Sequence, residues 1–354
     1  MNLKNDFLKK NKINLEKAQR VLNKTKKDKN GNIIIQDGHF VISKTSVSSY
    51  SFTDSWILLS QPGVLNREGI QGRMALVKSY VSDKCPEYFK GVDAEMTMAN
   101  NFILPEIAKQ FQLESAEYYN VVFEDGDELQ SDDNFKKMGR LNEQKIKPGK
   151  KYLLSPSFVK TDEELVHFAD ILENSRELTA SKIIAQTESY LKRRKIPETD
   201  IEAIRQEFIK QCIFNRFIDF SDEHNLNSGI VFTENNQERR ARLTPCYDLD
   251  FSAGVYNTAN GGFLPRTFFR TSDDGGNDLL SILQQFKGDF EKIYLNEIIP
   301  KINIEEAIKK GEEYGNFKLS EIANKRYQRF FKTQIKDLQD FYKENYIEGK
   351  KEAR

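Results

Sequence analysis

Cysteine is scarce in this chain of 354 residues, which contains only Cys85, Cys212 and Cys246. Three scattered thiols are too few for a disulfide framework, and they lack the spacing of a zinc site. Because disulfide-rich folds belong to oxidising compartments, the composition favours the cytoplasm or another reducing compartment. Cys212 and Cys246 lie in apolar segments, where we expect each thiol to pack as a small core residue.

Long hydrophobic runs are also missing. No apolar segment approaches the roughly 20 residues that a membrane-spanning helix requires, so no membrane partner is expected. The N-terminal charges are not followed by a hydrophobic core, which argues against a cleavable secretory signal. We therefore expect a cytoplasmic protein, or one that is exported or translocated without a cleavable signal peptide.

The chain has no excess of either charge, because its 54 lysines and arginines balance its 54 aspartates and glutamates. This balance gives no general attraction to nucleic acid or to an anionic membrane. Residues 1–30 are the exception, with ten basic side chains against Asp6, Glu16 and Asp28. This segment is either a basic arm that binds nucleic acid or an acidic partner, or a solvated helix packed on the rest of the protein.

Strand patterns dominate the first 159 residues and helical patterns the remainder. Asn30-Gly31 and Asp37-Gly38 are tight-turn signals between short strands. A sequence of strands followed by helices predicts an α+β protein with a β-rich part joined to a larger helical part. The predicted strands lie at 33–36, 39–43, 56–59, 74–80, 118–123 and 151–158, and the predicted helices at 92–111, 204–218, 278–298, 302–314 and 319–346.

Three polar residues in the second half of the chain have the order of a phosphoryl-transfer site. Asp222 can accept a proton from an attacking hydroxyl, and Asn227 and Asp248 can bind the magnesium ion that lies between nucleotide phosphates. Asp250 is an alternative carboxylate for the metal. The alternative interpretation is an ordinary polar loop between a helix and a hairpin, in which His224 caps the turn.

The sequence around these residues predicts a hairpin between Asn227 and Asp248. Residues 228–232 have the pattern of a short buried strand, and the charged run 233–242 is interpreted as the hairpin tip. Leu243 is then expected to start the return strand that leads to Asp248. A helix, a polar loop, a hairpin and an aspartate follow one another in this order in the C-terminal lobe of kinases.

This segment resembles the HipA-like kinases, a bacterial family distant from eukaryotic protein kinases. The resemblance implies that Asp222 is the catalytic base, that Asn227 and Asp248 bind the metal, and that His224 shapes the catalytic loop. Asp219 and Phe220 stand where the family usually has Gly-Asn. The family's catalytic loop is matched by Phe214, Asn215, Ile218, Asp222, His224 and Asn227, and its metal motif by Pro245, Tyr247, Asp248 and Leu249.

The first half of the chain contains candidates for the groups that bind the nucleotide phosphates. Lys78 ends an Ala-Leu-Val-Lys strand, which is similar to the kinase Val-Ala-Ile-Lys pattern, and Lys90 is the alternative if another strand precedes the helix. Glu95, near the start of that helix, is the candidate acidic partner of the lysine. In the alternative interpretation, Lys78 is an exposed strand residue, and Glu95 is a first-turn glutamate that the helix dipole stabilises.

The loops around this lysine supply the remaining nucleotide contacts. Gly69 and Gly72 can present backbone N–H groups to phosphate, and the small residues of 46–51 compete for that role. In HipA-like kinases a serine of this loop can be autophosphorylated. The resemblance implies the same modification for the serines of 46–51. Backbone groups at the end of the last strand are expected to meet adenine, with Leu154, Ser155, Ser157 and Phe158 as candidates.

The sequence therefore predicts an ATP- and magnesium-dependent kinase of protein serine and threonine residues, with a two-lobed, protein-kinase-like fold. Residues 1–30 would form a basic arm, 31–159 the nucleotide-binding lobe and 160–354 the catalytic lobe. A protein substrate is expected, and the family implies an antitoxin or host-protein partner, whereas nucleic acid binding by the chain alone is not expected. Two alternatives remain, a small-molecule kinase of the aminoglycoside phosphotransferase type and a catalytically inactive binding module.

Overall fold

The computed structural model describes residues 93–123, 149, 151–156, 158–159, 163–172, 180–220, 227–235, 238–255 and 287–343, together with five strand segments among the first 92 residues. This part of the chain contains helices and two largely antiparallel sheets, which agrees with the predicted mixture of strands and helices.

A seven-stranded sheet gathers the predicted strands of the first half of the chain. Its spatial order is β1-β2-β6-β7-β5-β4-β3, and all neighbours are antiparallel except β2 and β6, which run parallel. The candidate lysine strand β5 therefore lies beside β7, the strand that contains Leu154 and Ser155. The strands are β1 (Lys26–Lys27), β2 (Ile33–Ile35), β3 (Val41–Ile42), β4 (Ser55–Leu58), β5 (Met74–Lys78), β6 (Tyr119–Phe123) and β7 (Lys151–Pro156).

A second, three-stranded antiparallel sheet has the order β10-β9-β8. It consists of β8 (Glu163–His167), β9 (Gly229–Asn235) and β10 (Glu238–Leu243). The helices are α1 (Ala94–Gln110), α2 (Phe168–Ile171), α3 (Ala180–Arg193), α4 (Glu198–Phe217), α5 (Lys287–Phe290), α6 (Ile304–Gly315) and α7 (Glu321–Tyr342). After α5 the chain continues as a π-helical segment, Glu291–Ile298, and a 3₁₀ turn, Ile299–Lys301.

The predicted boundaries of the hairpin were wrong. Its tip lies between Asn235 and Glu238, so Leu243 ends the return strand instead of starting it. The charged residues that resemble a loop in the sequence occupy paired strand positions, and Arg239 forms an ion pair of 3.1 Å with Glu234 across the two strands. The sequence analysis also predicted no strand at β8, which lies between β7 and α2 and pairs with β9.

Helix α1 lies in the centre of the described structure and is buried on most of its surface. An aromatic cluster joins its end to α4 and α7: the Phe111 ring centroid lies 5.2 Å from those of Phe214 and Phe217, and Phe217 lies 5.2 Å from Phe331. Gly311 of α6 faces α1 so closely that a Cβ atom there would lie 3.0 Å from the Ile103 Cα. Such packing holds α1 in one position.

The start of α4 is joined to β10 by one carboxylate. Asp200 accepts hydrogen bonds from Arg240 Nε (2.8 Å), Arg240 Nη2 (2.7 Å) and the backbone N–H of Ala241 (3.1 Å). The Arg240 hydrogen bond lowers the pKa of Asp200 below its ordinary value of 3.8, although partial burial opposes this shift. The carboxylate therefore stabilises the folded state at neutral pH, and this contribution is lost as the pH falls through its lowered pKa.

We expect Asp200→Asn to lower the free energy of unfolding at pH 7, because the ion pair is removed while the shape of the side chain is kept. The difference from the wild type should shrink below pH 3.8, where the wild-type carboxyl begins to be protonated as well. Urea unfolding at pH 7 and at a pH below 3.8 measures this difference in the free energy of unfolding. Glu198→Gln, at an exposed position of the same helix turn, is the control; an equal loss in both variants, or a pH-independent loss, would contradict the assignment.

Within the part of the chain that the structure describes, no helix combines the length and the apolar character needed to cross a membrane.

Candidate functional site

Asp248, the predicted metal ligand, lies in a tight turn that follows β10. Its backbone is in the left-handed region, with φ of 59°, a conformation in which aspartate and asparagine are enriched among residues other than glycine. The Asp248 N–H donates a hydrogen bond of 3.0 Å to the Tyr118 hydroxyl. The turn therefore has a defined conformation.

The residues before Asp248 are held by the segment that follows α1. Cys246 forms a parallel bridge with Ser115, its N–H donates to Glu114 O at 2.8 Å, and its carbonyl accepts from Ala116 N at 2.8 Å. Cys246 is buried in the core, as the sequence predicts. The aspartate turn and the end of α1 thus form one hydrogen-bonded unit.

Thr244 connects the same segment to the strand that begins after Asn227. Its backbone N–H donates to Gly229 O at 2.9 Å, and its hydroxyl accepts from Gly229 N at 3.1 Å. Gln211 of α4 donates from Nε2 to Thr244 O at 2.7 Å. The two ends of the β9–β10 hairpin are therefore held beside each other and against α4.

Asn227 and the Asp248 turn are brought together at these hairpin ends. Asn227 and Tyr247 line the same small cavity, together with Asn215 of α4 and the backbone neighbour Ser228. The two predicted metal ligands are separated by the whole hairpin in sequence, yet Asn227 lies next to the residue that precedes Asp248. Asn227 thus shares this cavity with the residues on either side of Asp248, which are Tyr247 and Leu249.

The segment after Asp248 is fixed by α1. Asn100, which is fully buried, donates from Nδ2 to Asp250 O and to Ser252 O, both at 2.9 Å. The Tyr327 hydroxyl of α7 donates to Asn100 Oδ1 and lies 3.1 Å from Met96 O. Burial raises the pKa of Tyr327, so this hydroxyl keeps its proton and remains a donor.

Tyr247 connects the aspartate turn to the predicted adenine strand. Its ring lies 5.2 Å from that of Phe158, measured between centroids. Tyr247 is half-buried, and burial raises the pKa of its hydroxyl; the charge of the neighbouring Asp248 raises it further. Tyr247 is therefore neutral, and its ring packs against Phe158.

Glu95 was predicted to pair with Lys78, but its observed hydrogen bonds are to Ser320. Its carboxylate accepts hydrogen bonds from Ser320 N at 2.6 Å and from Ser320 Oγ at 2.8 Å, at the start of α7. Asp93, the N-cap of α1, forms an ion pair with Arg326 of the same helix. The start of α1 is therefore tied to α7, and the pairing of Glu95 with Lys78 stays a prediction.

The candidate nucleotide-binding residues lie on two adjacent strands. Lys78 pairs with Leu153 in register, which places its backbone beside the Leu154 and Ser155 of β7. Leu154 is fully buried in the core and lies between β5 and β6, opposite Val77 and Tyr119. Phe158 O accepts a hydrogen bond of 2.9 Å from Arg242 Nη2. The remaining predicted site residues, Asp222, His224, Lys90, Gly69, Gly72 and Ser157, lie outside the described residues.

Two solved structures share parts of this architecture. The proinflammatory kinase CtkA of Helicobacter pylori matches with a TM-score of 0.49 and 14% identity, over 74% of this chain and 86% of CtkA. HipA of Shewanella oneidensis MR-1, from a toxin–antitoxin system and solved with HipB and operator DNA, matches with a TM-score of 0.43 and 16% identity, over 83% of this chain.

A HipA protein is thus among the solved structures that this chain resembles. The chain spans 64% of the length of that HipA chain. No protein-family model and no curated protein sequence matches the chain. Because both TM-scores lie below 0.5, the function is inferred from the residues of the site.

Three residues that organise the site had no role in the sequence-based hypothesis. Tyr118, Asn100 and Tyr327 hold the backbone of residues 248–252 through hydrogen bonds between distant segments. The available signal for Asn100 was the polar pair Asn100-Asn101 between the apolar residues in the middle of α1. Nothing in the sequence indicates its partners, because they lie about 150 positions away in the chain.

Proposed function

We propose that this protein is an ATP- and magnesium-dependent kinase of the HipA-like kind, which transfers the γ-phosphate to serine or threonine hydroxyls of a protein. The observation that carries the proposal is the proximity of Asn227 to the Asp248 turn at the two ends of one hairpin. Kinases use an asparagine and an aspartate on such segments to hold the metal that bridges the nucleotide phosphates.

The chemistry of the two side chains fits magnesium. Asn227 offers an amide oxygen and Asp248 a carboxylate oxygen, and Mg²⁺ prefers hard oxygen ligands. Magnesium at phosphate sites usually has one or two carboxylates from the protein and completes its coordination with phosphate oxygens and water. The Asp248 N–H donates one hydrogen bond, and the carbonyls of Asp250 and Ser252 accept two others, so the backbone of this segment is fixed. The carboxylate therefore loses little conformational freedom when it binds the ion.

The other roles follow the order of residues along the chain. Asp222 orients the attacking hydroxyl and accepts its proton, and His224 shapes the loop that connects α4 to Asn227. Lys78 or Lys90 contacts the phosphates, with Gly69 and Gly72 presenting N–H groups to them. A bound magnesium ion neutralises the charge that develops on the transferred phosphoryl group.

The proposed architecture has two lobes, with 31–159 holding the nucleotide and 160–354 carrying the base and the metal ligands. Adenine would lie between the two lobes, beside the backbone groups of Ser155, Ser157 and Phe158. The family resemblance supports a protein substrate, autophosphorylation within the loop 46–51, and an antitoxin or host protein as partner.

Transfer of labelled γ-phosphate from ATP tests this function, with the protein itself and a generic basic protein as acceptors. We expect transfer by the wild type that requires Mg²⁺, and a loss of about 10²-fold or more in Asp222→Asn, which removes the general base. Asp219→Asn is a matched control, because Asp219 is an exposed aspartate in the same connection, with a left-handed φ of 51° that asparagine also adopts.

Two results would contradict the kinase hypothesis. One is wild-type protein that neither transfers phosphate nor gains thermal stability from ATP and Mg²⁺, since a ligand that binds the folded state must stabilise it. The other is an equal loss of transfer in the Asp222 and Asp219 variants.

A further inference from the structure

Thr244 lies at the base of the β9–β10 hairpin, between the two candidate metal ligands in the chain. It is 1% exposed. Its N–H and its hydroxyl both form hydrogen bonds with the backbone of Gly229, two residues after Asn227. Four residues after Thr244, the chain reaches Asp248. Thr244 therefore bonds the segment of one candidate ligand to the segment of the other.

The hydroxyl of Thr244 is the part of this connection that depends on the residue type. The bond from Thr244 N to Gly229 O involves only the backbone, so any residue other than proline can form it. The bond of 3.1 Å from Gly229 N needs a side-chain acceptor, and among the β-branched residues only threonine supplies one. A valine at this position would keep the branching and leave the buried N–H of Gly229 without this acceptor.

Gln211 of α4 holds Thr244 from another direction. It is 7% exposed, and its Nε2 donates a hydrogen bond of 2.7 Å to Thr244 O. Gln211 also lines the small cavity to which Asn227 belongs. The position of Thr244 is therefore set by a packed helix as well as by the neighbouring strand.

The backbone that Thr244 contacts is itself held by neighbouring segments. A Cβ atom at Gly229 would lie 2.4 Å from Val166 O, so β9 packs tightly against β8 at this point. The N–H of Phe168 donates to Ser228 O at 3.1 Å, immediately before Gly229. The chain that follows the first candidate ligand is thus fixed, and the Thr244 hydroxyl bonds the second segment to it.

The separation of two metal ligands matters more for magnesium than for calcium. Mg²⁺ requires a nearly ideal octahedron of oxygen atoms at about 2.0–2.1 Å, whereas Ca²⁺ accepts irregular geometry at about 2.3–2.6 Å. Ligands from two different segments satisfy the stricter ion only if the segments keep their spacing. Groups that orient metal ligands without touching the metal typically change metal affinity by about 10–100-fold.

We propose that Thr244 is a positioning residue, which Gln211 supports. Its hydroxyl sets the separation of Asn227 and Asp248 and thereby favours Mg²⁺ over Ca²⁺. The inference rests on the proposed function, because it takes these two side chains as the metal ligands. Thr244 touches neither the metal nor the substrate, and it acts through the backbone of Gly229. Loss of this contact should weaken the binding of Mg²⁺ more than that of Ca²⁺.

Thermal unfolding with a non-hydrolysable ATP analogue, titrated with Mg²⁺ or with Ca²⁺, tests this role without phosphate transfer. We expect Thr244→Val to raise the Mg²⁺ concentration for half-maximal stabilisation by about tenfold, and the corresponding Ca²⁺ concentration by a smaller factor. Thr244→Ser retains the hydroxyl and should behave as the wild type. Gln211→Met keeps the length of the side chain but removes its donor, and should change the Mg²⁺ response in the same direction.

Ile183→Val is the control for a general loss of stability, because Ile183 is fully buried on α3 and lies outside the described lining of the Asn227 cavity. It should lower the unfolding midpoint and leave the Mg²⁺ response unchanged. Where Thr244→Val does not fold, Gln211→Met decides by the same criteria.

Four results would overturn the positioning role alone: an unchanged Mg²⁺ response in Thr244→Val, an equal change for both ions, or an equal loss of Mg²⁺ response in Thr244→Ser or in Ile183→Val. A wild type that gains no stability from the analogue with either metal would instead remove the metal site itself, and the positioning role with it.

Discussion

Asp248→Asn is expected to reduce the rate of phosphate transfer by about 10³-fold, because it replaces the proposed metal-binding carboxylate with a neutral amide. Asparagine also adopts the left-handed backbone, so the turn at φ of 59° and its hydrogen bond to Tyr118 should persist. The midpoint of thermal unfolding should therefore change little, whereas the stabilisation by ATP that depends on Mg²⁺ should be lost. Steady-state transfer and nucleotide-dependent thermal shifts measure the two effects.

Asp250→Asn tests which of the two candidate carboxylates, Asp248 or Asp250, binds the metal. Asp250 is buried, and its backbone carbonyl accepts a hydrogen bond from Asn100. If Asp248 is the ligand, Asp250→Asn should retain Mg²⁺-dependent binding of ATP and change mainly the unfolding midpoint. The reverse pattern, with magnesium dependence lost only in Asp250→Asn, would move the metal assignment to Asp250.

Asn100→Leu is expected to lower the free energy of unfolding by about 3 kcal/mol, because buried polar groups left without partners cost about 1–3 kcal/mol each. The substitution keeps the number and branching of the side-chain heavy atoms but removes the donor to Asp250 O and Ser252 O and the acceptor of the Tyr327 hydroxyl. Urea unfolding followed by circular dichroism measures the change. Because the same residue holds the segment after Asp248, the affinity for Mg²⁺·ATP should fall as well.

Asn324→Leu is the matched control, since Asn324 lies on α7 and contacts Gln328 of the same helix. Its effect should stay within about 0.5 kcal/mol, as is usual for surface positions. Tyr327→Phe should be non-additive with Asn100→Leu, because the two side chains share one buried hydrogen bond. Additive losses in the double variant would show that the two residues do not act as a unit.

Local patterns predicted individual elements well. The predicted helix at 92–111 corresponds to α1, and the apolar runs around Trp56, Met74 and Tyr152 correspond to β4, β5 and β7. Hydrophobic periodicity reports the burial of each element, and this is a property of neighbouring residues. The charged hairpin strands were misplaced for the same reason, since their stability comes from pairing with each other, which the pattern of one strand does not contain.

For the candidate site, too, the sequence predicted some features and missed others. The sequence predicted that Asn227 and Asp248 act together, and the fold places Asn227 beside the residue before Asp248. It did not predict that Asn100 and Tyr118 hold this segment, or that the Glu95 carboxylate contacts Ser320. Each of these contacts joins residues more than a hundred positions apart.

The sequence by itself determined the balance of charge, the scarcity of cysteine and the order in which the candidate lysine, glutamate, asparagine and aspartates follow one another. Those features depend on residue types and on spacing within a few turns of chain. The tertiary structure decided which polar groups satisfy each other around α1, and it created a recess of about 630 Å³ from parts of α1, β6, β10 and α6. These arrangements depend on long-range packing, where a buried donor or acceptor takes whichever partner the fold brings within reach.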